Sequence, residues 1–278
     1  MNDARLQDLE IELLIRALQA RHGYDFSQYA SASFRRRVQN LLVHYQLTNI
    51  SQLTERVLHD DSLLVEIIGR LSVPVSEFFR DPQTFATLRR EVFPLLASYP
   101  HINIWQAGCA HGEEVYSLAI LLSEAGLYER SRIYATDMSA QALEQAREGI
   151  YTTRELKLYA ENYLQAGGRQ TFSDYFHARY GHIKLDDALK RNVVFAQHNL
   201  ASDAVFCEAH LILCRNVLIY FQPPLQQRVT ALFRDSLVRG GFLCLGAKET
   251  LGAHEAARGF SVADRRASLY RLSSHAAV

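Results

Sequence analysis

The sequence predicts an α/β protein in which a small helical bundle precedes a parallel sheet wrapped by helices. Two observations carry this prediction: apolar side chains recur at helical spacing through residues 1 to about 71, and strand-like and helix-like segments alternate from residue 83 onward. Such alternation is typical of a parallel sheet covered by helices. The 278 residues, 48% of them hydrophobic, are enough for one domain of moderate size and a small second one.

Residues 1–71 are expected to form the helical domain. Their apolar positions fall at intervals of three and four residues, and they include Leu14, Leu18, Phe34, Val38, Leu41, Leu53, Val57, Ile67, Ile68 and Leu71. The next segment, "SVPVSEFFRDP", contains Pro74 and Pro82, each of which forbids a continuous helix. We therefore assign residues 72–82 to a linker, and its aromatic content is unusual for a plain tether.

Residues 83–278 are expected to supply the sheet and its helices. The predicted order is a helix from Pro82 to Ala97, a strand from Ile102 to Gln106, a helix from Glu113 to Glu124, a strand from Arg132 to Thr136, a helix from Ala140 to Glu148, a strand from His210 to Cys214, a helix from Pro224 to Val238 ended by Gly240-Gly241, and a strand from Phe242 to Leu245. Phe260 to Val262 and Ser268 to Leu272 are predicted to close an antiparallel edge.

One region interrupts the alternation. Residues 150 to 198 contain short β-like runs from Gly181 to Leu185 and from Asn192 to Gln197, which bracket a polar turn. This pattern indicates a small β subdomain inserted at about residues 175–198.

The composition limits the function classes. Thirty basic and thirty acidic side chains cancel, so no overall field attracts the chain to nucleic acid or to a membrane. The four cysteines include no C-x-x-C pair, which favours reduced core thiols over metal ligands. The first residues lack the basic flank and apolar stretch of a signal peptide, and no segment reaches the roughly 20 apolar residues of a membrane span. We expect a cytoplasmic protein without a metal, a nucleic-acid partner or membrane insertion.

The loop "AGCAHGEE" after the first predicted strand indicates the kind of ligand. Enzymes that bind dinucleotides use G-x-G-x-x-G there, because backbone amides must approach a pyrophosphate. This loop keeps only Gly108 and Gly112, and Glu113 and Glu114 would repel a phosphate. A cationic or zwitterionic ligand suits the loop better.

Asp137 ends the second predicted strand, in "IYATDMS". A carboxylate at this place commonly accepts hydrogen bonds from both hydroxyls of a ribose. A ribose without a phosphate, in a pocket with acidic walls, points to S-adenosylmethionine. The alternative is that Asp137 only caps the helix that starts near Ser139.

Two further strand ends carry polar side chains. Asn199 follows the apolar run in "FAQHNLAS", and Arg215 and Asn216 interrupt "LILCRNVLIYF". Amide groups can recognise an adenine edge, although ordinary turn chemistry explains Asn199 equally well. For Asn216 we favour a functional role, because burying Arg-Asn between apolar runs is costly unless both side chains find partners.

These segments together resemble the CheR family, the chemotaxis receptor glutamate O-methyltransferases. The resemblance rests on "FFRD", "AGCAHGEEVYSLA", "YATDMSAQALEQAREGIY", "NVVFAQHNL", "LILCRNVLIYF" and "GGFLCLGAKETL", in that order, and covers roughly residues 30 to 272. It implies an N-terminal all-α domain and a Rossmann-like domain dependent on S-adenosylmethionine, with a small antiparallel β subdomain inserted. Family members often carry Asn and Thr at the positions of Pro74 and Ser76, Pro at Val115 and Thr at His111, so a side-chain contact at Pro74 is lost.

The resemblance also implies which residues contact the cofactor. It implies that the cofactor leaves as S-adenosylhomocysteine after it has given up its methyl group. The matching positions are Ser76, Arg80, Ala107, Glu114, Asp137, Asn199, Leu200, Arg215 and Asn216. The choice of Glu114 over Glu113 stays open at this point.

The implied reaction is methylation of glutamate side chains on methyl-accepting chemoreceptors. A glutamate is already ionised at neutral pH, with a reference pKa of about 4.3, so the enzyme must align it and needs no general base. Arg80 and Tyr220 are the candidate catalytic residues. The alternatives are a surface ion pair of Arg80 with Asp81 or Glu77, and a core position for the Tyr220 ring.

The run "ASFRRRVQNLL" offers a docking surface. Arg35, Arg36 and Arg37 are expected to spread over a polar arc opposite Phe34, Val38 and Leu41, where they could bind the cytoplasmic helical bundle of a chemoreceptor, with the protein acting as a monomer. The alternative is a merely solvated face. Two rival functions remain: a methyltransferase for a small molecule or RNA, and a noncatalytic module that binds S-adenosylmethionine.

Overall fold

The computed structural model of the chain describes residues 3–273. Residues 1–2, at the start of the predicted helical domain, and residues 274–278, at the end of the predicted sheet domain, lie outside the described residues. The first part consists of the helices α1 (Asp3–His22), α2 (Ser31–His44), α3 (Ile50–His59) and α4 (Leu64–Leu71). The α1 helix packs on α3 and α2 packs on α4, and the Asn49 side chain caps α3 by accepting from the Gln52 amide at 3.0 Å.

The remaining described residues form the sheets and their helices. The helices are α5 (Pro82–Thr87) and α6 (Phe93–Leu96), joined by a π-helical turn (Leu88–Val92), then α7 (Glu113–Glu124), α8 (Ala140–Glu148), α9 (Leu156–Gln165) and α10 (Pro223–Ser236). The strands are β1 (Ile102–Ala107), β2 (Ser131–Asp137), β3 (Ile150–Thr152), β4 (Phe176–Arg179), β5 (His182–Leu185), β6 (Val193–Gln197), β7 (Ala209–Cys214), β8 (Leu237–Leu245), β9 (Phe260–Asp264) and β10 (Leu269–Leu272).

The main sheet has the strand order β6-β2-β1-β7-β8-β10-β9. Its first five strands are parallel, and β10 and β9 add an antiparallel edge. The strand order reverses between β1 and β7, which is the place where sheets of this type bind ligands. The predicted α/β class, with an all-α N-terminal part and a Rossmann-like sheet, is confirmed.

The inserted β subdomain differs from the prediction in extent. The small antiparallel sheet has the order β3-β5-β4, so it starts at Ile150 and ends at Leu185. The segment assigned to its second half, Val193–Gln197, pairs in parallel with β2 at the edge of the main sheet. The placement at residues 175–198 is therefore corrected, because two strands close in sequence belong to different sheets.

The end of the last long helix is also corrected. The α10 helix ends at Ser236, and Val238 and the glycine pair belong to β8. The register between β7 and β8 shifts between Ala209 and Leu211, and Gly240 has a φ of 78° within this irregularity. Gly240-Gly241 therefore lies in a β-bulge, where a left-handed glycine fits as well as it does at the end of a helix.

The helical part and the sheet share one hydrophobic core. Leu18, Val38 and Leu41 of the helices lie in the same buried cluster as Trp105 and Ile212 of the sheet. The other face of the sheet packs against α5, α6 and α7 in a second cluster. No helix within residues 3–273 is long and apolar enough to cross a membrane.

Candidate functional site

A cleft opens at the carboxyl ends of β1, β2, β6 and β7. Its larger part has a volume of about 660 Å³ and an adjoining part has about 280 Å³. Both parts are lined by Val75, Gly108, Ala110 and Arg215, so they are continuous. The linker and the helical part form the roof.

The loop after β1 has no free row of amides for a phosphate. The amides of Gly108 and Cys109 both donate to the Thr136 carbonyl, at 2.8 and 2.9 Å. The Ala110 amide donates to Asp137 Oδ2 at 2.9 Å, and the Gly112 amide donates to the Cys109 carbonyl at 3.0 Å. Gly108 has a φ of 73°, and a Cβ there would lie 2.5 Å from Val217 Cγ2, so this turn requires glycine. Because its amides bond within the protein, the loop differs from a pyrophosphate cradle.

Asp137 is held at the tip of β2 and lines the cleft. Its Oδ2 accepts from the Ala110 amide and its Oδ1 accepts from the Ser139 amide, both at 2.9 Å. Burial raises the pKa of this carboxyl, and the backbone hydrogen bonds oppose that rise. The helix cap is Ser139, whose Oγ accepts from the Ala142 amide. Asp137 is therefore not the cap of α8, and each of its oxygens retains a lone pair for a further donor.

Arg215 connects the end of β7 to the loop after β1 and to the linker. Its side chain is 1% exposed; Nη1 donates to Glu114 Oε2 at 2.5 Å, and Nη2 donates to Asp81 Oδ2 at 2.7 Å and to the Arg80 carbonyl at 3.0 Å. Glu114 Oε1 accepts from Gln106 Nε2 at 2.6 Å. The charge of Glu114 is thus largely compensated by Arg215, whereas Asp137 lines the cleft and forms no ion pair among the described residues.

The two adjacent glutamates occupy different environments. Glu114 lines the smaller part of the cleft, whereas Glu113 lines a separate cavity beside α8 and the small sheet. Burial raises the pKa of Glu113 to about 7, although a hydrogen bond from the Ser76 side chain opposes the rise. Its Oε2 is buried and has no hydrogen-bond partner among the described residues. This geometry favours Glu114 as the glutamate that faces the cleft.

Arg80 lies in a strained turn. Its neighbours Phe79 and Asp81 have φ values of 54° and 55°, in the left-handed region that non-glycine residues seldom adopt. The turn is held because the Phe79 amide donates to Ser117 Oγ at 2.9 Å, while Arg215 binds the Arg80 carbonyl. The predicted alternative pairs of Arg80 are engaged elsewhere, since Asp81 pairs with Arg215 and Glu77 accepts from Asn162. Such strain is typical of functional turns.

Asn216 is a second residue with a left-handed backbone. Its amide is held by Glu249, a residue that the sequence analysis did not identify. Asn216 has a φ of 60° and lines the cleft. Glu249, which is 4% exposed, accepts from the amides of Asn216 and Gly246 through Oε2, both at 2.7 Å. Its Oε1 accepts from the Ile219 amide at 3.1 Å. Nothing in "GAKETL" signals this role, because two of the three donors lie about 30 residues earlier in the chain.

The other predicted site residues are placed as follows. Ser76 and Arg80 line the smaller part of the cleft, and Asn199, Leu200 and Tyr220 line the larger part. Asn199 also has the turn role considered as its alternative, since its Oδ1 accepts from the Ala201 amide at 3.0 Å. Ala107 is fully buried at the end of β1 and lines neither part, whereas Gly108 lines both.

The arginine run of α2 differs from the prediction. Arg36 is exposed, and Arg35 is partly exposed and pairs with Asp8. Arg37 is only 6% exposed and lines the cleft, so its assignment to a docking surface is wrong. Position 37 follows Phe34 by three residues and precedes Leu41 by four, and both intervals return to the same face of a helix. The helical spacing therefore contained the signal for a buried Arg37.

The helical part supplies another cleft residue that the sequence analysis missed. Tyr29 lies on the larger part of the cleft, and its hydroxyl donates to the Met138 sulfur at 3.5 Å. Burial and the nearby Asp137 carboxylate raise the pKa of Tyr29. Only its position in the tertiary structure reveals this role.

Two family models match the chain. The model described as the CheR methyltransferase all-alpha domain matches residues 9–72, and the model described as the CheR methyltransferase SAM binding domain matches residues 74–266. Together they span the helical part, the linker and nearly all of the sheet.

Two of the curated relatives match over 92% of their own length. A protein named Cher3 from Pseudomonas putida is 49% identical over 251 residues, which is 90% of this chain and 92% of the relative. A chemotaxis protein methyltransferase from Vibrio parahaemolyticus is 32% identical over 260 residues, with 90% and 92% coverage.

Solved structures show a weaker likeness. CalS10 from Micromonospora echinaspora, an amino pentose methyltransferase with bound SAM, gives a TM-score of 0.36 at 12% identity, covering 68% of this chain and 56% of that one. NodS from Bradyrhizobium japonicum, an N-methyltransferase in complex with S-adenosyl-L-homocysteine, gives 0.34 at 14% identity, covering 60% and 59%. Both scores are low, so the fold assignment rests on the strand order of the sheet.

Proposed function

Because the chain belongs to the CheR methyltransferase family, and is thus a methyltransferase that uses S-adenosylmethionine, we propose that it methylates glutamate side chains of chemoreceptors. The products are a glutamate methyl ester and S-adenosylhomocysteine, and the partner is the cytoplasmic helical bundle of a methyl-accepting receptor. One observation carries the proposal: the loop after β1 bonds its amides internally and turns the Asp137 carboxylate toward the cleft.

The residues of the cleft fit a nucleoside that carries a positive charge and no phosphate. Asp137 is suited to accept from the two hydroxyls of a ribose, because both of its oxygens are already oriented by backbone amides. Gly108 and Ala110 bring the backbone close to the ligand, and Asn199 and Leu200 flank the larger part of the cleft. Glu114 and the linker residue Ser76 line the smaller part, where the amino acid end of the cofactor would lie. We assign these residues to cofactor binding.

The chemistry requires alignment more than proton transfer. Bound S-adenosylmethionine supplies an electrophilic methyl group on a positively charged sulfur. The acceptor glutamate is ionised at neutral pH, so no residue of the chain needs to act as a base. We assign Arg80 in the linker and Tyr220 after β7 to orienting the entering carboxylate. Arg80 must hold it only loosely, because a carboxylate neutralised in the ground state is a weaker nucleophile.

The strained turns support this assignment of roles. The Arg80 carbonyl and the Asn216 amide are held by buried charged groups, Arg215 and Glu249, and Phe79 beside Arg80 has a left-handed backbone that a bulky side chain disfavours. Backbone strain of this kind persists only where the surroundings over-determine it. The site is therefore preorganised, which is the property that an alignment mechanism requires.

The test is transfer of a labelled methyl group from S-adenosylmethionine to the cytoplasmic fragment of a receptor. We expect label that mild base releases as methanol, since an ester hydrolyses readily. A receptor fragment whose candidate glutamates are replaced by glutamine is the matched control and should accept no label. Base-stable label would contradict carboxyl methylation, and binding of the cofactor without transfer to any receptor would favour a noncatalytic module.

The docking surface is proposed from the exposed part of α2. Arg36 is exposed and Arg35 is partly exposed, so both can meet an acidic receptor helix. Because Arg35 forms an ion pair with Asp8, its charge is partly neutralised, and we expect Arg36 to contribute more to receptor binding. Both lie on the helix that also carries Arg37 into the cleft.

A further inference from the structure

Arg37 belongs to the helical part but reaches the cleft. It lies in the second turn of α2, is 6% exposed, and lines the larger part of the cleft together with Tyr220 and Asp137. Burial lowers the pKa of its guanidinium, and the neighbouring tyrosines oppose this shift. Such a position is unusual for an arginine, which seldom lies fully buried without a specific partner.

The guanidinium of Arg37 connects three segments. Nη1 donates to the carbonyl of Leu71, and Nη2 donates to Ser33 Oγ at 2.9 Å. The guanidinium carbon lies 4.7 Å from the centre of the Tyr220 ring, which is cation–π distance. Leu71 is the last residue of α4, so the linker that carries Ser76 and Arg80 begins at this hydrogen bond.

The backbone around Tyr220 is held independently of Arg37. The Ala30 amide donates to the Tyr220 carbonyl and the Gln222 amide donates to the Gln28 carbonyl, both at 2.8 Å. The rings of Tyr29 and Phe221 pack edge to face at 5.0 Å. These contacts position the peptide of Tyr220, while the guanidinium of Arg37 covers the face of its ring. A change at Arg37 therefore affects the ring more than the fold of this segment.

The geometry is poor for a purely structural arginine. Arg37 Nε is buried and has no hydrogen-bond partner within the described residues. A buried donor without a partner costs stability, and a neutral side chain at this place would avoid that cost. Outside its own helix, Arg37 contacts the Tyr220 ring and the carbonyl of Leu71, which directly precedes the linker that carries Arg80.

We propose that Arg37 is a positioning residue for methyl transfer, which the helical part supplies to the active site. It holds the Tyr220 ring over the cleft and fixes the start of the linker that carries Arg80. The inference rests on the proposed function, because its readout is transfer to the receptor glutamate. The helical part thus acts on the methyl-transfer step as well as on receptor docking.

The test compares Arg37→Gln, Arg37→Lys, Tyr220→Leu and the double variant Arg37→Gln with Tyr220→Leu. We expect Arg37→Gln to lower kcat on the receptor fragment at least tenfold, with the Kd for S-adenosylmethionine within threefold of the wild type. Arg37→Lys should not restore kcat, because an ammonium cannot cover the ring and keep the fork of hydrogen bonds together. The double variant should lose less kcat than the product of the two single losses, since Arg37 acts partly through that ring.

Arg56→Gln is the matched control. Arg56 lies 5.4 Å from the Tyr45 ring in the same helical part and lines neither part of the cleft, so its removal breaks a similar pair elsewhere. It should change Tm without changing kcat. If Arg37→Gln does not fold, Arg37→Lys carries the same kcat comparison.

Three results would overturn the inference. The first is a folded Arg37→Gln or Arg37→Lys variant with wild-type kcat, and the second is a double variant whose losses in kcat multiply. The third is a wild-type protein that forms no ester on any receptor, which would remove the proposed function as well. An active wild type with an unaffected Arg37 variant would remove this inference alone.

Discussion

Replacement of Glu249 by glutamine tests whether this buried carboxylate supports the cleft. Its Oε2 accepts from the amides of Asn216 and Gly246, and its Oε1 accepts from the Ile219 amide. The oxygen of a glutamine amide can replace Oε2, so two bonds persist but lose the charge, at a cost of about 1 kcal/mol each. The glutamine nitrogen then faces the Ile219 N–H as donor against donor, which costs about 1–3 kcal/mol more. We expect a total destabilisation of about 3–5 kcal/mol, which a domain with a stability of about 5–15 kcal/mol can survive.

The same replacement should weaken cofactor binding. Glu249 holds the amide of Asn216 beside the cleft, so the variant should bind S-adenosylmethionine about tenfold more weakly, which corresponds to the loss of about one hydrogen bond. Urea unfolding gives the stability and calorimetry gives the Kd. Glu255→Gln, at an exposed position, is the control and should leave both unchanged. A destabilisation below about 1 kcal/mol with an unchanged Kd would refute the reasoning.

Three further predictions concern the cofactor, the receptor and pH. Asp137→Asn should raise the Kd for S-adenosylmethionine about 10- to 100-fold by calorimetry, because a charged acceptor for the ribose is lost, while Asp187→Asn at the surface should not. Arg35→Glu combined with Arg36→Glu should raise the KM for the receptor, more strongly at low salt, and leave the Kd for the cofactor unchanged; an unchanged KM would argue for a solvated face. Burial raises the pKa of Glu113 from 4.5 to about 7. Between these pH values Glu113 is protonated in the folded state and ionised in the unfolded state. The contribution of Glu113 to stability is therefore fully present below pH 4.5 and is lost as the pH rises through about 7. Relative to wild type, Glu113→Gln should therefore gain up to about 3 kcal/mol in unfolding free energy between pH 4.5 and 8, and a difference that does not vary with pH would contradict it.

The order of the elements could be predicted because helix and strand periodicities alternate clearly from residue 83 onward. The helices Glu113–Glu124 and Ala140–Glu148 have the predicted bounds. The errors arose where local pattern does not determine pairing. Val193–Gln197 reads as a partner of the preceding strand, yet it pairs with β2, and Gly240-Gly241 fits a helix end and a strand bulge equally well.

The strand-end residues of the site could also be predicted, since parallel strands bring their carboxyl ends to one edge. Asp137, Asn199 and Asn216 were found in this way, and all three line the cleft. Residues that reach the cleft from distant segments could not be found by this rule. Glu249 acts through backbone amides far away in sequence, and Arg37 was hidden within a run of three arginines whose other two members face outward.

The shared core of the helical part and the sheet limits how this enzyme can be retargeted. Leu18, Val38 and Leu41 share a buried cluster with Trp105 and Ile212, and Tyr29 packs on Phe221, both of which line the cleft. Exchanging the first 71 residues with those of a relative, in order to change receptor preference, would therefore also replace one wall of the hydrophobic interior and part of the lining of the cleft. In a chimera of this kind, the core residues that join the helices to the sheet must be exchanged together with the helices, or the two halves must be selected together.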